Sequence, residues 1–447
     1  MSRVHACAAV SQAVLVVGAA TLVAVSAWAG ETSAYRVLTE PSFSLPGLNV
    51  PYNDPTFGTP TVRIGNSSLS TTRPEYSQLQ AWNADMSLLL VNSSVILDAK
   101  TYQVLLRVDY GWPAWGNGLR WSSTEPFVLY YTGGDCSSSS GCKADTLGQQ
   151  CGTSSSRAAA LRRYRLSRQG TSMSGQRQLV RCFPEYTSFQ KDASFEELSD
   201  DGRYIALVGQ RPDGRYEAFA YDIVNNIKHT ALVLPVDSTY GPRYPDWAGM
   251  SPSGKYVVLQ WGRGTARYRG LEAYDRSTMA YAGKVFTGSG HGDLARDADG
   301  SDVFVASNAN NADLLTANHY LIKAKIPKGV VFNSSGGVDQ SATVSSGATV
   351  PLLTLDWYHN LHVSCRNHKN PGWCVVGTYS ASSAYNNGWQ PFEDEVFKVF
   401  LDSRDSAPHV ERLAHHRSTP SSISGRDSCS GVTNYWAQPH ATVSPDG

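Results

Sequence analysis

One short pattern recurs along the chain and limits what it can become. A polar or aromatic residue leads a short alternating strand, a turn of Asp, Ser, Pro and Gly follows, and then comes an apolar, β-branched strand. The pattern closes the sequence as His440-Ala-Thr-Val-Ser-Pro-Asp-Gly447 and has earlier copies over 76–91, 118–131, 193–208, 246–259, 291–305 and 362–376. Insertions over 133–181 and 327–350 account for the longest intervals, and further strands such as 217–223 and 271–274 fit the outer half of each unit. One small antiparallel unit cannot bury both its faces, so units of this kind stack radially and share apolar surface. The Asp-Gly turns join the two innermost strands tightly, because Gly takes a positive φ without steric cost. A β-helix would need shorter, regular periods, and no linker divides the chain. The expectation is an all-β, seven-bladed β-propeller of four-stranded antiparallel blades, forming one domain over 30–447. The last copy stops before its second strand, so the seventh blade reads as truncated and the chain as a fragment. The segment 35–38 is the candidate outer strand for closure.

Composition agrees with short twisted strands: 11% of residues are aromatic, with 23 Tyr and 11 Trp beside 39 Gly. Charge is balanced at 38 basic and 38 acidic residues, and no basic patch or tail occurs, which argues against nucleic acid and anionic membranes as partners. Residues 1–29 read as a signal peptide: Arg3 and His5, an apolar run from about Ala6 to Ala27, then Ala27-Trp28-Ala29 before a cleavage at Gly30. An uncleaved anchor is the other reading of that run. The expected product is a monomer outside the cytosol, periplasmic or extracellular, where disulfides are permitted. Cys7 lies in the leader. Cys136, Cys142, Cys151 and Cys182 flank the Ser/Arg-rich insertion and can pair among themselves, and Cys429 is left over. Asn66, Asn92 and Asn333 begin Asn-Ser-Ser sequons, which count only in a eukaryotic source.

Repeat alignment becomes a spatial statement in a propeller, because residues entering each innermost strand form a ring at one end of the axis. In order these are Tyr76, a position near Asn117, Ser194, Asp246, His291, His362 and His440. Three consecutive units thus present histidine, from a chain with 11. Imidazoles converging from adjacent strands suit a divalent metal, with manganese, calcium and zinc as candidates and Gln438 as an oxygen ligand beside His291, His362 and His440. The plainer reading is that these rings cap strand ends. His359 and Asp293 are further candidates. Arg417, in His415-His416-Arg417, and Arg73, in Arg73-Pro-Glu-Tyr76, could clamp a carboxylate bidentately. Tyr76 or His359 is the proton carrier. Trp247, Trp357, Tyr358 and Trp436 are the aromatic faces expected to stack on sugar rings. Cys365, His368 and Cys374 fit either a structural zinc or, more simply, a Cys365–Cys374 disulfide. Gly-x-Ser-x-Gly, a phosphate-binding Gly loop and His-Glu-x-x-His are all missing, which removes the common hydrolase, nucleotide and metalloprotease readings.

The segment Tyr435-Trp436-Ala437-Gln438-Pro439-His440 through Gly447, preceded by His415-His416-Arg417, resembles the final blade of oligogalacturonate lyases and their seven-bladed relatives. In that family a Gln and several His near such a Ser-Pro-Asp motif bind manganese at the channel mouth. The resemblance implies Gln438 and His440 as ligands, with His291 matching by blade position. The family's pattern has two His flanking a Pro, whereas here only His440 remains. The Cys365/His368/Cys374 group is similar to the structural zinc of ulvan lyases, propellers that use His and Tyr as catalysts. The implied activity is β-elimination on a uronic-acid polysaccharide or oligosaccharide. The competing expectation is a non-catalytic, TolB-like propeller that binds glycan or protein.

Overall fold

The strand Tyr204–Gln210 shows why the runs between turns are apolar on both faces. Ile205 and Leu207 pack against Val128, Tyr130, Leu161 and Phe183, while Tyr204, Ala206 and Val208 pack against Ala248, Val257 and Leu259. Alternate side chains leave opposite faces of a strand, so each face here belongs to a different interface between sheets. Val303 and Val305 are divided from Phe304 and Ala306 in the same way. Each of these two sheets is therefore a layer between two others, the arrangement that a radial stack requires.

The computed structural model describes residues 30–69, 72–74, 76–108, 118–134, 136–137, 141–142, 144–153, 156–190, 198–238, 241–262, 268, 270–288, 290–308, 318–330, 333–335, 348–379, 388–418 and 438–447, together with a short strand at Val14–Val16. The signal-peptide reading of 1–29 otherwise lies outside these residues, as do Trp436, Cys429, Asn117 and Ser194. Blade one is Leu88–Val91, Val95–Asp98 and Val104–Arg107, with its innermost strand reduced to a bridge between Trp82 and Leu89. Blade two is Arg120–Trp121, Val128–Gly134, Ala159–Gln169 and Ser172–Phe183. Blade three is Ser188–Phe189, Tyr204–Gln210, Tyr216–Asp222 and Ile227–Val233. Blade four is Trp247–Met250, Tyr256–Trp261, Gly270–Asp275 and Tyr281–Phe286. Blade five is Gly292–Arg296, Asp302–Ser307, His319–Ile326 and Thr349–Leu355. Blade six is Asn360–Ser364, Trp373–Tyr379, Glu395–Phe400 and Val410–His415. The described residues thus form an all-β propeller with six antiparallel blades.

The turn that defines the repeat has one geometry. The Gly202, Gly254 and Gly300 N–H groups donate to Ser199, Ser251 and Asp297 at 2.8, 2.8 and 2.9 Å. The closing copy does the same, Gly447 N–H to Ser444 C=O at 3.1 Å. Gly202, Gly254 and Gly447 hold φ of 67°, 71° and 94°, which other residues resist.

Gln438–Gly447 lies between blades six and one. Val443 N–H donates to Ser364 Oγ at 3.2 Å, Thr442 Oγ1 donates to Leu79 C=O at 3.0 Å, and Gln80 Nε2 donates to Val443 C=O at 3.0 Å. Val443 and Ala441 pack on Trp373, Val375 and Val396. Outside this wedge, a hairpin of Pro51–Asn53 and Pro60–Arg63 covers blade one through Val62, and Val14–Val16 pairs with the hairpin's second strand. The segment 35–38 runs elsewhere. Residues 31–38 lie along the outer strand of blade six, where Glu31 bridges to Arg412 and Leu38 C=O faces His415 Nε2 at 3.2 Å. The insertion at 133–181 is also shorter than its sequence suggests, because Ala159–Gln169 and Ser172–Phe183 are the outer strands of blade two. Cys151 is disulfide-bonded to Cys182 at the base of these strands.

Candidate functional site

The innermost strands bring one set of rings together at the end of the axis where they begin. Tyr76 sits among three imidazoles, with ring centroids 6.3 Å from His291, 5.2 Å from His362 and 5.1 Å from His440. His291 and His362 stack at 4.6 Å, His362 meets His440 edge-on at 4.5 Å, and Tyr379 stacks on His362 at 5.1 Å. These residues come from the start of blade one, from blades five and six, and from the closing wedge, as the repeat alignment required. Tyr379 was not foreseen: it ends the second strand of blade six, a position that the repeat pattern leaves unmarked. Beneath them Gln78 Nε2 donates to Gly292 C=O at 2.6 Å, which ties the start of blade one to the innermost strand of blade five.

Burial sets the chemistry of these rings. His362 is fully enclosed, and burial, then the neighbouring His440 and His291, hold its pKa well below the ordinary range against the Pro439 carbonyl. His291 is exposed at its rim although protein surrounds it, and its pKa is also lowered, chiefly by burial, with the Leu361 carbonyl and Asp246 opposing. Its Nδ1 lies 3.1 Å from Leu361 C=O, which can only accept, so Nδ1 carries the proton and Nε2 keeps a free lone pair. Tyr379 Oη stands 3.4 Å from the same Nδ1. A neutral base with a fixed tautomer therefore stands beside a phenol.

The His291 and His362 rings stack face to face with their planes 15° apart, whereas an imidazole binds a metal in its ring plane. Among the described residues no trio of His, Cys, Asp and Glu is placed to close on one ion. Gln438, two residues before His440 in sequence, has its Oε1 buried without a hydrogen-bond partner. Cys365 and Cys374 are bonded to each other, which leaves no thiolate for a zinc grouping with His368. Asp293 is also committed, bound by both Arg366 and the Cys365 N–H.

Other expected site residues are dispersed. Trp247 is a core residue, 5% exposed, packed on Val258, Phe304 and Ala306 between blades four and five, so it cannot stack on a sugar. Trp357 and Tyr358 are exposed on the turn entering blade six, with Trp357 stacked on His319 at 5.0 Å. His359, next in sequence, points inward: it is buried, neither ring nitrogen has a partner, and burial pushes its pKa down to about 4. Such a ring is a poor proton carrier at neutral pH. Arg73 is fixed by its backbone to Asn92 at the tip of blade one, and Arg417 pairs with Glu40.

At the opposite end of the axis a small cavity of about 30 Å³ is lined by all six blades and Pro445. Asp200 lies on its wall 3.9 Å from Arg296. Burial raises its carboxyl to about 7, against the pull of Arg366 and Arg296. Nothing in the repeat pattern marked this residue, which sits in a turn shared by most copies.

No family model and no curated protein matches the chain. Solved structures that it resembles include the Kuenenia stuttgartiensis hydrazine synthase, at 13% identity over 74% of this chain and 78% of that one, with a TM-score of 0.35. The β-propeller domain of Myceliophteria thermophila Cps50 (Swd1) shares 13% identity over 78% and 93%, with a TM-score of 0.34. A TolB-like protein of Agrobacterium tumefaciens shares 16% over 61% and 87%, with a TM-score of 0.32. The propeller rests on the chain's own sheets, and likenesses at this level speak to neither ligand nor reaction.

Proposed function

We propose that the chain is an exported propeller that cleaves a uronic-acid-containing glycan by β-elimination at the Tyr76–His291 mouth. The observation that carries this reading is His291: uncharged, held through Nδ1 by Leu361, open at its rim, and edge-on to a phenol. β-Elimination needs a base to take the C5 proton of a uronate and an acid to protonate the departing O4. In this reading His291 Nε2 takes the C5 proton, and the C–H electrons form the C4=C5 double bond. The C4–O4 bond breaks, and O4 takes the phenolic proton of Tyr76. Exchange with solvent then returns a proton to Tyr76 and removes one from His291. His362, His440 and Tyr379 are positioning residues that hold the pair, and the Gln438 amide is cast as a donor to the C6 carboxylate. Trp357 and Tyr358 offer apolar faces to flanking sugars. The Cys151–Cys182 and Cys365–Cys374 disulfides agree with an oxidising compartment.

The test is a panel of acidic polysaccharides incubated with the protein while the ultraviolet absorbance of the conjugated, unsaturated uronate is followed. Absorbance should rise with at least one polymer, and Tyr76→Phe and His291→Ala should each slow the rise by about a hundredfold or more. A second reading, a non-catalytic TolB-like propeller that binds glycan or protein, is favoured by the complete burial of His362. Flat absorbance across the panel, with Trp357-dependent retention of a polymer, would establish the second reading in place of the first.

A further inference from the structure

Strand register sets a serine and a histidine side by side on one face of blade five. Ser307 pairs with Leu321 across the second and third strands, and His319 lies two residues before Leu321, so the two side chains are diagonal neighbours on the same side. Ser307 Oγ lies 2.6 Å from His319 Nε2. At the other edge of the ring, Nδ1 lies 2.9 Å from the Asp356 carbonyl, which can only accept, so Nδ1 carries the proton and Nε2 keeps its lone pair. The hydrogen bond therefore runs from the serine hydroxyl to the imidazole. That carbonyl is itself fixed, because it also accepts the His359 N–H at 3.1 Å in the turn entering blade six. His319 is buried, and burial lowers its pKa against the Asp356 carbonyl and carboxylate, which keeps the ring a neutral base. Ser307, at the end of its strand, is partly exposed.

A hydroxyl bonded to a neutral imidazole, which a third group holds in one tautomer, is the arrangement that activates a serine. We propose that Ser307 and His319 form a nucleophile–base pair that takes the acyl group of an ester of an aromatic alcohol. Trp357 supplies the aromatic preference: it is stacked on the His319 ring at 5.0 Å and is 52% exposed, so a flat leaving group beside the pair meets an open indole. Ser307 Oγ bonds to the acyl carbon as its proton passes to His319 Nε2. The bond from that carbon to the alcohol oxygen breaks, and the departing oxygen takes the proton from Nε2. Solvent water then attacks the acyl-serine, its proton passes through Nε2 to Ser307 Oγ, and the acid is released. This chemistry does not rest on the lyase reading, although the pair lies one strand outward from the strand that His291 precedes.

The experiment treats the full chain with an alkyl fluorophosphonate, whose fluoride a reactive serine displaces, and maps the adduct by peptide mass spectrometry. Ser307 should be labelled about a hundredfold or more faster than the exposed Ser277, and His319→Gln should slow the labelling of Ser307 by a similar factor. With p-nitrophenyl acetate as the ester probe, the chain should release p-nitrophenolate in a burst that Ser307→Ala abolishes. The comparison with Ser277 needs no variant, so it decides the case in which the His319 chain fails to fold. Labelling of Ser307 no faster than of Ser277, or labelling of a folded His319→Gln chain at the wild-type rate, would overturn the proposal. Flat absorbance in the polysaccharide panel would count against the lyase reading alone and leave the labelling of Ser307 as it is.

Discussion

At the scale of single residues, the decisive quantity is which buried imidazole has a partner. His416 is fully served: its Nε2–H donates to Thr378 C=O at 2.8 Å and its Nδ1 accepts from Ser418 N–H at 3.0 Å. His359 has neither contact, and His319 beside it disfavours its charge further, while Asp356 opposes. Its pKa lies at about 4 in the folded chain and near 6.5 in the unfolded one. The neutral ring therefore contributes stability that is present above 6.5 and lost as pH falls towards 4. His359→Leu leaves no orphaned donor or acceptor, so it should flatten that loss by up to about 3 kcal/mol. Chemical denaturation at pH 7, 5.5 and 4 reads the effect, and an unchanged pH slope would show that the ring is not uncharged and isolated. Sequence could place His359 beside His362 but not show that one faces solvent-free core with no partner, because that depends on Asp356 and His319 from blade five. The three ring histidines were legible for the opposite reason: their position follows from repeat register alone.

Between elements, much of the seam near blade six depends on one ion pair. Arg412 and Glu395 are both fully buried on adjacent strands, and Arg412 Nη1 also donates to Ser33 C=O at 3.2 Å and Arg36 C=O at 2.6 Å. One guanidinium therefore ties the outer strand of blade six to the N-terminal segment. Arg412→Ala should cost about 3–5 kcal/mol, since it strands a carboxylate in the interior. It should also speed proteolysis of residues 31–38, whose carbonyls lose their donor. Digestion of the N-terminus at the wild-type rate would show that the segment is held by something else. The strands themselves were readable, because each copy carries β-branched runs between turn residues. Their partners at the edge were harder to read. The segment 35–38 pairs with blade six and not with the seventh position because Arg412 faces it, and no local pattern announces an arginine buried by its neighbours' neighbours. Blade two shows a related difficulty: its outer strands, Ala159–Gln169 and Ser172–Phe183, are rich in Arg, Ser and Gln, so they resemble an insertion.

For the whole molecule, the seam between blades six and one differs in its chemistry from the others. Between most neighbouring blades the faces interlock through large shared cores, such as the Leu321, Val363, Val376 and Phe397 group between blades five and six. Blades six and one are instead joined through Gln438–Gly447, which is tied to Ser364 and the Lys369 N–H on one flank and to the Leu79 carbonyl and Gln80 on the other. Its apolar contribution comes mainly from Val443 and Ala441. Side-chain hydrogen bonds contribute about 1 kcal/mol each and lack the ladder's repetition, so this seam should open before any blade unfolds. Hydrogen–deuterium exchange should show Leu79–Trp82 and Ala441–Ser444 exchanging well before the interior strands Tyr204–Gln210 and Tyr256–Trp261. Thr442→Val, which removes the hydroxyl shared between Ser364 and Leu79, should speed exchange at the seam while leaving blades three and four as they were. Because His440 and Tyr76 lie on the two sides of this seam, the same opening would separate the rings of the candidate site. Uniform protection around the ring would mean that the wedge closes the propeller as firmly as a full blade, and that the Tyr76 cluster is as rigid as the core.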